Sequence, residues 1–170
     1  IGMSGGVDST ISFYLLKEVV APENIFVAHL YYLDSQFKDI EGIIKKAGVP
    51  KENIYEMSIS PLVEAFQNVI PDLIGNLSST RSRTRFREDD RVRLGNIMAR
   101  IRMIILYDLA KKHKALVCGT ENKSESLLGY FTRFGDEASD FEPIQHLYKT
   151  QVYQLAGFLG VPDNIMQKTP

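Results

Sequence analysis

Ile1-Gly2-Met3-Ser4-Gly5-Gly6-Val7-Asp8-Ser9-Thr10 leaves little freedom in how this chain can begin to fold. Ile1 and Met3 read as the end of a buried strand, and Ser4-Gly5-Gly6 must turn sharply. From Val7 to Leu16 the apolar residues recur at helical spacing. A glycine-rich strand-to-helix turn exposes backbone N–H groups at the positive end of a helix dipole, which makes it a cradle for phosphate. Glycine suits it because it tolerates positive φ and has no Cβ to hold a ligand off the backbone. In this arrangement Asp8 and Ser9 could present a carboxylate and a hydroxyl to Mg²⁺ beside the phosphates.

The plainer reading is a tight turn with Asp8 or Ser9 as helix N-cap. The stretch is not a Walker A loop, since it lacks the Lys of G-x-x-x-x-G-K-[ST], nor is it G-x-G-x-x-G. It resembles the Ser-Gly-Gly-x-Asp-Ser PP-loop of the ATP pyrophosphatases, enzymes that split ATP to AMP and pyrophosphate while adenylating a substrate.

Along the chain, apolar periodicity predicts helices at about 7–20, 34–47, 61–70, 90–113 and 148–159. Strands are expected at 24–32, 53–59 and 115–119, with a loop over 73–90 rich in Gly, Asn, Ser, Thr and Arg. Pro22, Gly48, Pro50, Pro71, Gly160 and Pro162 punctuate these elements. Strand–helix alternation at this spacing predicts an α/β fold, a parallel sheet with helices on both faces. Such sheets bind ligands at the carboxyl ends of their strands, where the glycine turn sits.

A chain of 170 residues makes one domain of ordinary size, and its 44% hydrophobic and 24% charged content suits a globular protein. The net charge of −1 gives no argument for nucleic acid or membrane as partner. Cys118 is the single cysteine, so neither an internal disulfide nor a cysteine metal site is available, and a cytoplasmic setting is expected. It reads as a small core residue in its strand. His29 is expected in the core, and His113 and His146 on the surface. Eight of the nine arginines fall between Arg81 and Arg102, interrupted by Glu88, Asp89 and Asp90. A solvated face, recognition of phosphate or carboxylate, and a nucleic-acid patch all remain open there. Phe86 is the lone aromatic beside them.

Three further segments narrow the choice. Arg93-Leu94-Gly95-Asn96-Ile97-Met98-Ala99-Arg100-Ile101-Arg102-Met103 places a glycine inside a helix, at about 1 kcal/mol relative to alanine. Close approach by a ligand or another helix would explain it. Gly119-Thr120-Glu121-Asn122-Lys123-Ser124-Glu125-Ser126 forms a second strand-to-helix turn rich in oxygen donors. Gly129-Tyr130-Phe131-Thr132-Arg133-Phe134-Gly135-Asp136 then leads into Ser139-Asp140-Phe141-Glu142-Pro143-Ile144. Together these look like the NAD synthetases, PP-loop enzymes that amidate nicotinic acid adenine dinucleotide, over nearly the whole chain.

The resemblance implies a Rossmann-like adenine nucleotide alpha hydrolase fold. It implies that Gly2, Met3, Ser4, Gly5, Gly6, Val7, Asp8 and Ser9 cradle the ATP phosphates, with Thr120 and Lys149 as further ATP contacts. Asp8 and Glu125 would bind Mg²⁺. Arg100, Arg133 and Asp140 would contact deamido-NAD, Arg133 standing where many members have Lys. Lys149 would offset charge on the leaving pyrophosphate. From the residues alone, Thr120 could be an N-cap, Glu125 an exposed helix residue, Arg100 a surface ion pair and Lys149 a solvated side chain. The family further implies a homodimer acting on small molecules (ATP, deamido-NAD and ammonia). Residues 1–170 would be a single NAD synthetase domain, truncated at both ends. Competing readings are another PP-loop adenylating synthetase and a non-catalytic module that binds adenine nucleotides.

Overall fold

Parallel pairing starts with the first three residues of the chain. In the computed structural model, which describes residues 1–69 and 88–168, Gly2 pairs with Ala28. Met3 N–H donates to the Ala28 carbonyl at 2.9 Å, and Ala28 N–H to the Ile1 carbonyl at 2.9 Å. Strand β1 (Val27–Tyr31) then pairs in parallel with β2 (Ile54–Ser58), Val27 opposite Ile54 through Tyr31 opposite Ser58. Parallel neighbours need crossovers, and helices α1 (Val7–Val19) and α2 (Phe37–Lys46) supply them.

The strand side chains alternate between two cores. Val27 and Ile54 join Ile1, Met3, Phe13, Ile40 and Ile44 on one face. Ala28, Leu30, Tyr55 and Met57 join the other, beneath α3 (Ser60–Val69) and α4 (Glu88–His113). The first face is completed by α6 (Lys149–Phe158), packed on α1, and by Ile165 of α7 (Asp163–Met166). Burying each fully enclosed isoleucine, such as Ile40 or Ile44, contributes about 1.5–3 kcal/mol. The parallel sheet between helical layers is the expected α/β architecture.

Three details depart from expectation. Of residues 24–32, Asn24 closes a 3₁₀ turn at Pro22–Asn24 and only Val27–Tyr31 form the strand. Residues 115–119 make only one parallel bridge, Cys118 with Phe141, instead of a strand. Its rungs are Phe141 N–H to the Val117 carbonyl at 3.4 Å and Gly119 N–H to the Phe141 carbonyl at 2.8 Å. The next rung would need an N–H on Pro143, which has none. His113, expected at the surface, is half-buried. Its Nε2 lies 2.7 Å from the Tyr55 hydroxyl, and its ring stacks on Phe26 with centroids 4.0 Å apart.

His29 is buried and bonds the Met3 carbonyl through Nδ1 at 2.8 Å, while His146 is exposed. The expected loop at 73–90 falls outside the described residues up to 87, as do Arg81, Arg83, Arg85 and Arg87, and α4 already begins at Glu88. Among the described residues no helix is long and apolar enough to cross a membrane.

Candidate active site

The opening turn has the form expected of an anion cradle. Gly5 takes φ +84°, a conformation that L side chains rarely adopt, and a Cβ there would lie 3.2 Å from the Lys168 ammonium. Gly6 is the N-cap of α1, and its N–H donates to Ser4 Oγ at 3.2 Å. Ser9 Oγ and Thr10 Oγ1 both donate to the Gly6 carbonyl, at 3.1 and 2.8 Å, fastening the turn to the helix. Met3 and Val7 bury their side chains, so only their backbone is available to a ligand.

Asp8, in the first turn of α1, meets the second strand-to-helix turn. Its Oδ1 accepts from Asn122 Nδ2 at 3.0 Å, and its Oδ2 from the Lys149 ammonium at 2.5 Å. Lys149 Nζ also lies 3.6 Å from Glu125 Oε1. Asn122 is fully buried and caps α5 (Lys123–Leu128): its Oδ1 accepts from Ser124 and Glu125 N–H, while Glu125 Oε2 accepts from Asn122 N–H. The reciprocal capping box holds Glu125 in one orientation. Lys149 opens α6, and its own N–H donates to Ser124 Oγ at 3.0 Å. Burial lowers the Lys149 pKa, but the hydrogen bond and charge of Asp8, together with Glu125, more than compensate and raise it above its ordinary 10.5.

The ammonium between two carboxylates marks a place where a cation is stabilised. Two hard oxygen donors beside a phosphate cradle fit Mg²⁺, which takes one or two carboxylates and completes its shell with phosphate oxygens and water. Among the described residues no cluster of three or more His, Cys, Asp or Glu forms a self-sufficient metal cage. Asp8 and Glu125 are thus brought together as expected, and the N-cap is Asn122 rather than Thr120.

Thr120 lines a cleft of about 670 Å³ that also reaches Gly2, Met3, Ser4 and Ser9 of the turn. Gly95, Asn96 and Arg102 of α4 form part of the opposite lining. Among the described residues a Cβ added to Gly95 would meet nothing within 4 Å. Its position on the cleft leaves room for a ligand there.

The three residues expected to contact the dinucleotide are arranged differently. Arg100 is exposed, and its Nε donates to the Arg133 carbonyl at 3.2 Å. Arg133 is exposed with its guanidinium 5.1 Å from the Phe134 ring centroid. Asp140 is exposed, yet its Oδ2 accepts from Val117 N–H at 2.7 Å, where it braces the single bridge of residues 117–141. None of the three lines the cleft. Cys118 is buried, and burial pushes its thiol up to about 11, far from a nucleophile at neutral pH.

Sequence reasoning missed Asn122 and Lys168. The N-x-x-E pattern of Asn122 and Glu125 is a capping signature and could have revealed the first. Lys168 bonds Asp39 Oδ2 and Gln36 Oε1, each at 2.7 Å, and reaches back over Gly5.

A parallel sheet, a glycine-rich phosphate turn and an acid–lysine cluster at the strand ends define a PP-loop nucleotide-binding domain. The family model described as NAD synthase matches residues 1–170. The chain is 42% identical, over all of its length, to the NH(3)-dependent NAD(+) synthetase of Thermococcus kodakarensis, of which it spans 60%. The NH3-dependent NAD synthetase of Campylobacter jejuni superposes with a TM-score of 0.80 at 34% identity, over 98% of this chain and 66% of that one. An NMN synthetase from Francisella tularensis gives 0.76 at 32%, over 99% and 64%. The chain belongs to the NAD synthase family.

Proposed function

We propose that the protein carrying this chain is an NAD synthetase. It amidates deamido-NAD to NAD at the expense of ATP, passing through an adenylated intermediate and releasing AMP and pyrophosphate. The observation that carries this reading is the convergence of Asp8, Glu125 and Lys149 beside the glycine turn. A sensor of adenine nucleotides has no need of two such carboxylates on one cation.

A carboxylate has no leaving group that ammonia can displace, so it must first be activated. The substrate carboxylate attacks the α-phosphorus of ATP and pyrophosphate departs. Ammonia then adds to the activated carbonyl and AMP leaves. In this scheme the backbone N–H groups of Gly2 to Ser9 hold the phosphates, Thr120 contacts ATP from the cleft, and Lys149 stabilises charge on the departing pyrophosphate. Asp8 and Glu125 would hold Mg²⁺, which supplies charge neutralisation on the phosphates when bound. Arg100, Arg133 and Asp140 would serve the dinucleotide. Ammonia is the proposed nitrogen donor, the one named in the NH(3)-dependent relatives from Thermococcus kodakarensis and Campylobacter jejuni.

We propose a homodimer as well. Arg100 and Ile104 follow one another on one face of α4, and Ile104 is 65% exposed. A partner covering that face would bring Arg100 into an interface. Sedimentation of the full-length protein at twice the chain mass supports this, and a monomer contradicts it.

The decisive experiment incubates full-length protein with Mg-ATP, ammonium and deamido-NAD. Equal amounts of NAD, AMP and pyrophosphate are expected, with none formed when deamido-NAD is omitted. The name of the Francisella relative, which gives the mononucleotide as product, motivates a parallel arm with nicotinic acid mononucleotide. Turnover in that arm alone would replace the substrate. ATP binding without any AMP would defeat the adenylation reading.

A further inference from the structure

Arg102 is a cation in the cleft with no assigned task. It lines the cleft from α4, half-buried, with its Nε fixed by a 2.8 Å bond to the Leu30 carbonyl near the end of β1. Ser4 and Ser9 of the glycine turn line the same cleft as Leu30 and Arg102. The guanidinium is therefore anchored in the cleft that the glycine turn also lines. Burial lowers its pKa, yet arginine stays charged in any working range.

Asp136, whose charge acts on Arg102, has its Oδ1 engaged by Thr132 N–H at 2.9 Å. Among the described residues, no carboxylate forms a salt bridge with Arg102. A partly desolvated charge without a counterion is unfavourable unless a ligand supplies one. With Nε held on backbone, the terminal N–H groups keep the planar fork that matches an oxyanion.

We propose that Arg102 contacts the acid substrate directly, its fork receiving the carboxylate that is to be adenylated and steadying it against the α-phosphate. This rests on the synthetase reading and adds to it a residue beyond Arg100, Arg133 and Asp140. The step is balanced: a carboxylate oxygen forms a bond to the α-phosphorus, and the bond from that phosphorus to the bridging oxygen breaks. Pyrophosphate leaves with the electron pair, and no proton transfer is required. What opposes the step is the approach of one anion to another, and Lys149 is already held by Asp8 and Glu125. Arg102 supplies the missing positive charge at the carboxylate.

The test uses full-length R102K and R102A. Both should raise KM for deamido-NAD or lower kcat/KM for it by about 10- to 100-fold, while ATP affinity by calorimetry changes less than threefold. Lysine keeps the charge and loses the fork, so R102K should recover only part of the loss. Added guanidinium should restore turnover to R102A and leave D8A inactive. Unchanged kinetics in both variants would overturn the proposal. So would a loss that follows melting temperature and ATP affinity equally and resists rescue, since Arg102 would then only brace Leu30. If wild-type protein forms no AMP with deamido-NAD, the synthetase reading fails first and this proposal with it.

Discussion

Asp8 and Glu125 both lie within 3.6 Å of the Lys149 ammonium, whereas Arg100, Arg133 and Asp140 stand exposed and are engaged chiefly with backbone or a neighbouring ring. The difference follows from how each set is built. Three helix starts deliver the first group: Asp8 from α1, Glu125 from α5 and Lys149 from α6. The three meet at one place, where two carboxylates share one ammonium and leave a net charge of −1. The second group comes from the outer face of α4 and from an irregular stretch with few rungs. The proposed phosphate site is thus preorganised by contacts within this chain, whereas Arg100, Arg133 and Asp140 are exposed.

Breaking the first group should have the largest effect. D8A and K149M should each reduce kcat/KM by about 100- to 1,000-fold, measured as NAD formation by the full-length protein. Near-normal turnover in either would detach the cluster from the chemistry. E125Q sharpens the point, because glutamine can still accept from Asn122 N–H and preserve the cap. Turnover should fall about 10- to 100-fold while the melting temperature stays nearly constant. A matching loss of stability would reduce Glu125 to a capping residue.

A third change probes the electrostatics of the turn that carries the cluster. Glu121 is buried beside Asn122, and burial, then Glu142 and other acids, raise its pKa to about 7 from 4.5. The folded state therefore binds more protons than the unfolded between those values, and stability should fall as pH rises through that window. E121Q should flatten this dependence and be more stable at pH 8 by up to about 3 kcal/mol, read by urea denaturation at pH 4.5 and 8. Parallel curves for variant and wild type would contradict it. The smallest effect is expected in the exposed group: D140A removes the acceptor of Val117 N–H and should destabilise by about 1–2 kcal/mol, with D140N recovering most of it. A rise in KM with unchanged stability would return Asp140 to the substrate.

Glycine and charge made the phosphate end readable in the sequence. Gly5 must adopt positive φ, and Asp8 and Glu125 each follow a glycine-containing turn after an apolar run, a pattern that marked both as candidate ligands although they lie 117 residues apart. Other features were hidden for physical reasons. The apolar run at 115–119 looks like a strand, but Pro143 lies where its partner would need a donor. Lys168 meets Asp39 across 129 residues without any local pattern to announce it. Arg102 differs from Arg100 only in the face of α4 from which it departs, and a charge count cannot separate one from the other.

Cation binding by Asp8 and Glu125 together is the central claim, and Mn²⁺ resonance reads it directly. Full-length protein with saturating ATP is titrated with Mn²⁺ and the free ion is followed by electron paramagnetic resonance. Beyond the binding due to ATP alone, the wild type should tighten Mn²⁺ by at least tenfold, and the D8N and E125Q variants should each lose most of that gain. Equal Mn²⁺ affinity in all three proteins would contradict it and leave Lys149 as the only cation those carboxylates hold.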